Sequence, residues 1–185
     1  MAERILILDG AMGTMIQGYG LTEDDYRGER FADWERDLKG NNDLLTLTRP
    51  GLIREIHRAF LDAGADVIET NTFRANRLAI REYGLERQVE AINRAAARLA
   101  RALAQEYSGR SRPRFVAGSM GPSGFLPSSS DPELGSVDYE ELVEVYREQA
   151  AALGRGGVDL LLIETGQDLL EVRAAVTGAR RAMEE

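Results

Sequence analysis

Two apolar runs in this chain end in the same pair of residues, and this repeat limits the fold more than any other feature. The runs finish at Glu69-Thr70 and Glu164-Thr165, 95 residues apart, and each follows a helical segment that ends at a glycine. A third apolar run, residues 5–8, finishes at Asp9. The strands of a parallel α/β barrel carry their functional side chains at their C-terminal ends, on one rim. The repeat and the third run together therefore predict three acidic side chains on a common rim.

The order of the remaining patterns predicts an α/β fold. Four short apolar runs alternate with four helical patterns, which together cover residues 5–8, 48–63, 66–69, 87–107, 114–117, 138–156, 160–163 and 168 onwards. Such alternation is typical of a parallel sheet covered by helices. A complete (β/α)8 barrel needs eight βα units and about 250 residues. We therefore expect residues 1–185 to be one partial domain, the N-terminal half of a TIM-type barrel with four βα units.

The composition excludes several kinds of site and partner. A net charge of -8 and a pI near 4.9 argue against nucleic acid or an anionic membrane as a partner. No apolar stretch approaches the roughly 20 residues that span a bilayer, and the N-terminus has no signal or transit pattern, so we expect a cytoplasmic protein. The absence of cysteine excludes disulfides and thiolate metal sites within these residues. The single histidine, His57, is expected on a helix surface, because charged and apolar residues both surround it.

The three acidic strand ends indicate a site for a cationic group. A buried carboxylate needs hydrogen bonds or a cation, so Asp9, Glu69 and Glu164 each either bind a ligand ammonium group or accept N–H bonds from adjacent loops. The turn at residues 10–13 offers backbone N–H groups to a carboxylate or phosphate, or it is simply a tight βα turn. Carboxylates for an ammonium group and amides for an anion together describe an amino-acid-like ligand. Further polar side chains expected on this rim are Asn71, Thr72, Ser119 and Thr165.

Several blocks of the sequence resemble one family of enzymes. The blocks lie at residues 7–17, which include Asp9-Gly-Ala-Met-Gly-Thr14, at Asp25-Tyr-Arg-Gly-Glu-Arg-Phe31, at Asn41-Asn-Asp-Leu-Leu45, at residues 63–73, which include Glu69-Thr-Asn-Thr-Phe73, at Gly118-Ser-Met-Gly-Pro122 and at Val158-Asp-Leu-Leu-Leu-Ile-Glu-Thr165. Over essentially its whole length the chain resembles the homocysteine-binding barrel of the homocysteine S-methyltransferase superfamily. The Arg-Gly-Glu-Arg-Phe stretch resembles its cobalamin-dependent methionine synthase branch.

This resemblance implies a reaction and a set of cofactors. The expected reaction transfers a methyl group from methylcobalamin, itself methylated by methyltetrahydrofolate, to the homocysteine thiol, which gives methionine. The resemblance also implies a zinc ion that binds the thiol and favours the nucleophilic thiolate. Cobalamin and methyltetrahydrofolate are expected on other modules of the same parent chain, and the remaining half of the barrel is a further partner. Because the family's zinc ligands are three cysteines of later strands, we expect neither a metal site in this segment nor activity from it alone.

The resemblance also suggests roles for individual residues. It places Asp9 and Glu164 at the amino group of homocysteine and the amides of the turn at its carboxylate. The predicted substrate-binding residues are Asp9, Gly10, Ala11, Met12, Gly13, Glu69, Asn71, Thr72 and Glu164. Two alternatives remain open at this point. One is a cobalamin-independent homocysteine S-methyltransferase that uses betaine or S-methylmethionine, and the other is a non-catalytic binding piece that pairs with another half.

Overall fold

The computed structural model describes residues 4–184 as helices and strands in alternation. Within this range the elements are α1 (Met12–Gln17), α2 (Glu23–Arg27), α3 (Leu45–Thr48), α4 (Pro50–Ala63), β1 (Val67–Glu69), α5 (Val89–Tyr107), β2 (Phe115–Met120), α6 (Tyr139–Gly156), β3 (Leu160–Ile163) and α7 (Leu169–Met183). Short 3₁₀ helices cover Asn42–Leu44, Ala79–Tyr83 and Glu86–Gln88. None of the helices within residues 4–184 combines the length and the apolar character needed to cross a membrane.

The three strands form one parallel sheet in the order β1–β2–β3. Glu69 in β1 pairs with Ala117 in β2, and Ala117 in turn pairs with Leu160 in β3. Because all three strands run in the same direction, Glu69 and the residue after β3, Glu164, lie at the same edge of the sheet. The predicted fold class is confirmed: the chain is a parallel α/β structure, and its described strands form an open sheet and not a closed barrel.

The predicted first strand, residues 5–8, joins this sheet at a single position. Leu8 forms a parallel bridge with Val67, and the Ile7 carbonyl accepts the amide of Val67 at 3.0 Å. A continuous apolar run of this kind predicts a buried parallel strand, but Ile5 is 85% exposed, so this prediction is wrong. No further strand among residues 4–184 pairs with the outer edge of the segment at residues 5–8. This edge of the sheet therefore remains open to solvent. Within residues 4–184 the sheet therefore has three strands, with the segment at residues 5–8 bridged to β1 at one position, where the sequence predicts four strands.

The helices pack on the sheet in two hydrophobic clusters, and two of them end at a glycine directly before a strand. The first cluster joins α3, α4, α5 and β1, and the second joins α6, α7 and the end of β2. Gly64 ends α4 with φ 106° and Gly157 ends α6 with φ 95°, both in the left-handed region that favours glycine. These two glycines turn the chain from helix into strand, as the sequence predicts.

Acidic residues at the start of two strands are structural. The buried carboxyl of Asp66 accepts hydrogen bonds from Arg4 at 2.7 Å and from Arg112 at 3.1 Å. These contacts, that of Arg4 above all, hold the pKa of Asp66 well below its usual range. At the start of β3, Asp159 accepts the guanidinium of Arg101 at 2.6 Å and the amide of Val116 at 2.8 Å. Both acids join neighbouring strands at the edge of the sheet opposite Glu69.

The last helix, α7, packs through a different face from the one predicted. The helical spacing of the larger apolar residues predicts a buried face made of Leu169, Val172, Val176, Ala179 and Met183. In the structure the side chains of Leu169, Val176 and Met183 are exposed. The buried face is Glu171, Ala174, Ala175, Gly178 and Ala179. Small residues on this face allow α7 to approach α6 closely, since a β-carbon at Gly178 would lie 2.5 Å from the Val143 carbonyl oxygen.

The prediction for His57 is also wrong. Its side chain is fully buried in α4, and neither ring nitrogen has a hydrogen-bond partner among the described residues. Burial lowers the pKa of His57 to about 4. His57 follows Ile53 by four residues, and such spacing places two side chains on the same helix face. Because Ile53 belongs to the first cluster, that face points inward.

Candidate functional site

A cleft of about 410 Å³ opens at the C-terminal ends of the strands. Its walls come from the turn after residue 9, residues 40–43, the loop after β1 and the ends of β2 and β3. All nine residues predicted to bind substrate line this cleft: Asp9, Gly10, Ala11, Met12, Gly13, Glu69, Asn71, Thr72 and Glu164. The structure thus brings together residues that are up to 155 positions apart in the sequence.

Asp9 lies where the bridged segment meets the cleft. Its amide donates to the Val67 carbonyl at 3.0 Å, and its Oδ1 atom accepts the amide of Glu69 at 2.8 Å. Burial raises the pKa of the Asp9 carboxyl to about 7. The sequence left open whether Asp9 binds a ligand ammonium group or accepts N–H bonds from adjacent loops. In the structure it accepts an N–H bond, but the donor, Glu69, lies in β1 and not in a loop. The same bond places the carboxyl of Asp9 beside Glu69.

Glu69 and Glu164 complete a group of three acids. The Ser119 hydroxyl donates to Oε1 of Glu164 at 2.5 Å, and the Glu164 amide donates to the Met120 carbonyl at 3.2 Å. Burial raises the pKa of Glu69 to about 8, and the neighbouring carboxyl groups of Glu164 and Asp9 add to this effect. Three carboxyl groups, two from the ends of β1 and β3 and one from the residue after the bridged segment 5–8, therefore share one cleft, which favours a cationic ligand group.

The turn after Asp9 has the backbone shape needed to present amides. Ala11 adopts a left-handed conformation with φ 53° as the N-cap of α1, and no side chain caps this helix. The N–H groups of a first helical turn have no partners within the helix. In residues 4–184, Ala11 and Thr165 are the two non-glycine residues with positive φ. Both adjoin the cleft acids, and strained backbone of this kind concentrates at functional sites.

Asn71 and Thr72 hold the rim together. The Asn71 side chain donates to the Asn42 carbonyl at 2.7 Å, and the Thr72 hydroxyl donates to the Ser119 carbonyl at 2.8 Å. The Thr70 and Thr72 hydroxyls lie 2.6 Å apart, and the Ser119 amide donates to the Thr70 hydroxyl at 3.0 Å. Both predicted residues border the cleft, but these side chains already bond to protein groups. They position the strand ends that carry the acids.

The sequence does not predict three of the polar residues that line the cleft. These are Asn42, Asp43 and Arg74, and the Arg74 amide donates to Oδ2 of Asp43 at 3.2 Å. Burial raises the pKa of Asp43 to about 7. A polar run, Asn41-Asn42-Asp43, directly before two leucines is the signal that could have identified the first two. The run lies in a long connection, where spacing alone does not predict which way a side chain faces.

The residues of this chain do not fit the zinc centre that the resemblance implies. The chain has no cysteine, and no group of three His, Asp or Glu side chains in residues 4–184 is placed to hold a metal ion. The acids of the cleft bond instead to protein donors, Asp9 to the Glu69 amide and Glu164 to the Ser119 hydroxyl. What this part of the site offers chemically is recognition, through negative charge, backbone amides and space for a small molecule.

Comparison with known proteins agrees with this arrangement. The sequence profile of the homocysteine S-methyltransferase family matches residues 6–184. Three structures of the homocysteine methyltransferase MmuM from Escherichia coli have a similar fold. The metallated form matches with a TM-score of 0.74 and 24% identity, and covers 99% of this chain and 61% of that one. The oxidized form matches with a TM-score of 0.73 and 26% identity, and covers 97% of this chain and 61% of that one.

The apo form of the same enzyme has a TM-score of 0.68 and 26% identity, with 97% of this chain and 57% of that one covered. The chain thus spans 57% to 61% of the length of these solved structures. The family profile, in contrast, matches nearly every residue of the chain. This chain belongs to the homocysteine S-methyltransferase family.

Proposed function

We propose that this chain forms the amino-acid-binding part of an enzyme that methylates the thiol of homocysteine to give methionine. The observation that carries the proposal is the convergence of Asp9, which follows the bridged segment at residues 5–8, with Glu69 and Glu164 at the ends of β1 and β3, on one cleft. Membership of the homocysteine S-methyltransferase family supports the same ligand. In this proposal Asp9 and Glu164 bind the ammonium group, because charge-assisted hydrogen bonds to a carboxylate are strong.

The other end of the amino-acid group meets the turn at residues 10–13. Its amides bind the ligand carboxylate, since backbone N–H groups in such a turn favour an anion. With both charged groups held, the side chain of homocysteine extends into the remaining space of the cleft. The thiolate is the nucleophile: its sulfur bonds to the methyl carbon as the bond between that carbon and the donor breaks. Any zinc ion that lowers the pKa of the thiol takes its ligands from residues outside this chain.

We propose methylcobalamin, regenerated from methyltetrahydrofolate, as the methyl donor. The support is the resemblance of residues 25–31 to the methionine synthase branch. In the structure this segment stands beside the cleft, where the Tyr26 hydroxyl donates to the Asn42 side chain at 2.8 Å. The remaining βα units of the barrel and the cobalamin and folate modules are then partners of this chain. The alternative is a cobalamin-independent enzyme that takes the methyl group from S-methylmethionine or betaine.

Calorimetry tests the binding proposal. L-Homocysteine is titrated into the protein beside two analogues, one without the amino group and one without the carboxylate. We expect heat of binding from homocysteine and a loss of affinity of roughly tenfold or more for each analogue. Equal affinity for homocysteine and the analogue without the amino group would contradict the role of the acids.

An activity assay identifies the donor. The complete enzyme, with the remaining βα units and modules joined to this chain, is supplied with Zn²⁺ and homocysteine together with methylcobalamin, S-methylmethionine or betaine, and methionine is measured. Methionine formation with methylcobalamin supports the proposed donor. Formation only with one of the other two donors would replace it by the alternative.

A further inference from the structure

Three arginines meet at the edge of the sheet opposite the cleft. Arg4 precedes the bridged segment at residues 5–8, and Arg112 and Arg114 precede β2. Because the N-terminal ends of neighbouring parallel strands lie at the same edge of a sheet, these side chains converge on Asp66, the residue before β1. Salt bridges join its carboxyl to all three guanidinium groups: Arg4 at 2.7 Å, Arg112 at 3.1 Å and Arg114 at 3.5 Å. These three residues form the arginine cluster.

The charges of the arginine cluster are not balanced by the protein. Within residues 4–184, Asp66 is the one acid that forms salt bridges with these arginines. Its hydrogen bonds, that from Arg4 above all, hold the pKa of Asp66 well below its usual range, so it carries one negative charge at neutral pH. Arginine side chains stay protonated in proteins. The described residues therefore leave a local excess of two positive charges in a chain whose net charge is -8.

The oxygen atoms of Asp66 also do not satisfy all three arginines. Its Oδ2 atom accepts Arg4 and the Ile7 amide, and its Oδ1 atom accepts Arg112. Arg114 has the longest contact, at 3.5 Å, although its side chain is only 8% exposed and is the most buried of the three. The Nε atom of Arg114 is buried without a hydrogen-bond partner among the described residues. Because a buried charged group needs hydrogen-bond partners, the cluster lacks acceptor oxygens.

The arginine cluster is held in place by the backbone and is accessible from solvent. The Arg114 amide donates to the Ser108 hydroxyl at 2.9 Å, and Nη2 of Arg112 donates to the Gly64 carbonyl at 2.7 Å. The side chains of Arg4 and Arg112 are 41% and 49% exposed, so a solute can reach them. No hydrogen bond within residues 4–184 uses Nη2 of Arg4 or Nη1 of Arg112. Guanidinium groups fixed in this way, with donors to spare, favour an oxyanion.

We propose that the arginine cluster binds a phosphate group, either free phosphate or the phosphate of an ester. A phosphate dianion supplies two negative charges, which match the local excess, together with the acceptor oxygens that Asp66 does not provide. Arginine pairs with phosphate through two parallel N–H···O bonds. Arg4 and Arg112 bind the phosphate from the solvent side, beside the buried Arg114. This inference goes beyond the proposed function and does not depend on the ligand of the cleft, which lies at the other edge of the sheet.

An NMR titration with inorganic phosphate tests the site. The arginine Nε–H signals are followed at about pH 8, where phosphate is a dianion, and NaCl of equal ionic strength is the reference. We expect phosphate to shift signals of the cluster, and Arg112→Gln to raise the dissociation constant roughly tenfold, because it removes a charge-assisted bond. Arg58→Gln is the matched control, since Arg58 is about as exposed as Arg112 but pairs with Glu106. It should stay within about twofold of the wild type.

Two further measurements keep the test decisive. If Arg112→Gln does not fold, Arg4→Gln replaces it, and the same loss of roughly tenfold is expected. The same titration with glycerol 3-phosphate separates the two sources of the ligand. Binding of both probes identifies the phosphate group of an ester as a ligand, binding of inorganic phosphate alone identifies the free ion, and either result supports the site. Shifts in the wild type no larger than those from NaCl, or equal affinity of the cluster variant and Arg58→Gln, would overturn the proposal.

Discussion

Asp9 bonds to strand β1 and also borders the cleft. Its amide and its Oδ1 atom bond to the two ends of β1, at Val67 and Glu69, and its carboxyl borders the space where the ligand is proposed to bind. With a pKa of about 7, this carboxyl changes its charge in the neutral range. A ligand ammonium group favours the ionised form, so the affinity of the cleft depends on this titration.

The first prediction concerns that titration. Below its pKa Asp9 is neutral, so the affinity for homocysteine should fall as the pH decreases from about 7.5 to about 6. Asp9→Asn can still accept the Glu69 amide, but it removes the charge. We expect this variant to bind homocysteine roughly tenfold more weakly at about pH 7.5. Its homocysteine affinity, measured by calorimetry, should depend less on pH than that of the wild type. The apparent Michaelis constant for the methyl donor should be unchanged. A variant that keeps the wild-type pH profile would contradict the role of Asp9.

The second prediction concerns His57, which is buried without hydrogen-bond partners. Its pKa of about 4 in the folded protein lies below the value of about 6.5 expected in the unfolded chain. Between these values the unfolded state binds more protons, so the free energy of unfolding decreases as the pH falls from about 6.5 to about 4. We expect His57→Leu to remove roughly 2–3 kcal/mol of this acid sensitivity.

Urea denaturation at a series of pH values measures this effect. The difference between wild type and His57→Leu is the quantity of interest, because contributions from Asp66 and other shared groups cancel. If the two proteins lose stability in parallel on acidification, His57 is not the cause.

At the residue scale, the sequence identified the acids because each one ends an apolar run. Asp9, Glu69 and Glu164 could be placed on one rim from this pattern and the direction of parallel strands alone. Asp43 could not, because its approach to the cleft depends on a contact with Arg74, 31 residues later in the chain. His57 could not be placed either, since its neighbours in sequence mix apolar and charged side chains and periodicity alone does not separate the two faces.

At the scale of elements, the chain illustrates how small residues decide which helix face is packed. Helix α7 has two candidate stripes at helical spacing, one of large apolar residues and one of alanine and glycine. The second stripe faces α6, since a β-carbon at Gly178 would lie 2.5 Å from the Val143 carbonyl oxygen and 2.7 Å from the Arg147 amide nitrogen. Hydrophobicity alone favoured the first stripe, because it does not measure how closely two helices approach. The helix ends, in contrast, follow from local signals such as Gly64, Gly157 and the capping residue Asp168.

The third prediction uses this close approach. Gly178→Ala introduces a methyl group against the backbone of α6, so we expect it to lower the free energy of unfolding by roughly 1–3 kcal/mol. Gly154→Ala is the matched control, because Gly154 is exposed in α6 and nothing lies within 4 Å of its added carbon. The control should be neutral or stabilising by up to about 1 kcal/mol, as alanine favours helix. Equal effects of the two substitutions in urea denaturation would contradict the packing.

At the scale of the whole molecule, the sheet is open and its strands differ in how deeply they are buried. β2 lies between β1 and β3, and its residues after Phe115 are buried, whereas β3 is only partly buried and the segment at residues 5–8 pairs at one position. The alternation of strands and helices predicted this architecture from the sequence. The fourth strand that the sequence predicts at residues 5–8 does not form, because a strand needs consecutive paired residues and this segment pairs with β1 at a single position.

The fourth prediction is a gradient of protection across this sheet. Amide hydrogen exchange should be slowest in β2 and faster in β3 and in residues 5–8, since protection follows burial and local contacts. Mass spectrometry of short peptides resolves the three regions. Protection of β3 equal to that of β2 would show that its outer edge is covered in solution.

The most direct test of the account is a crystal structure of the protein with L-homocysteine bound. We expect the ammonium nitrogen within about 3.2 Å of carboxyl oxygens of both Asp9 and Glu164, and the ligand carboxylate at the amides of residues 10–13. A ligand bound elsewhere, or one whose ammonium group points away from both acids, would contradict the proposed binding site.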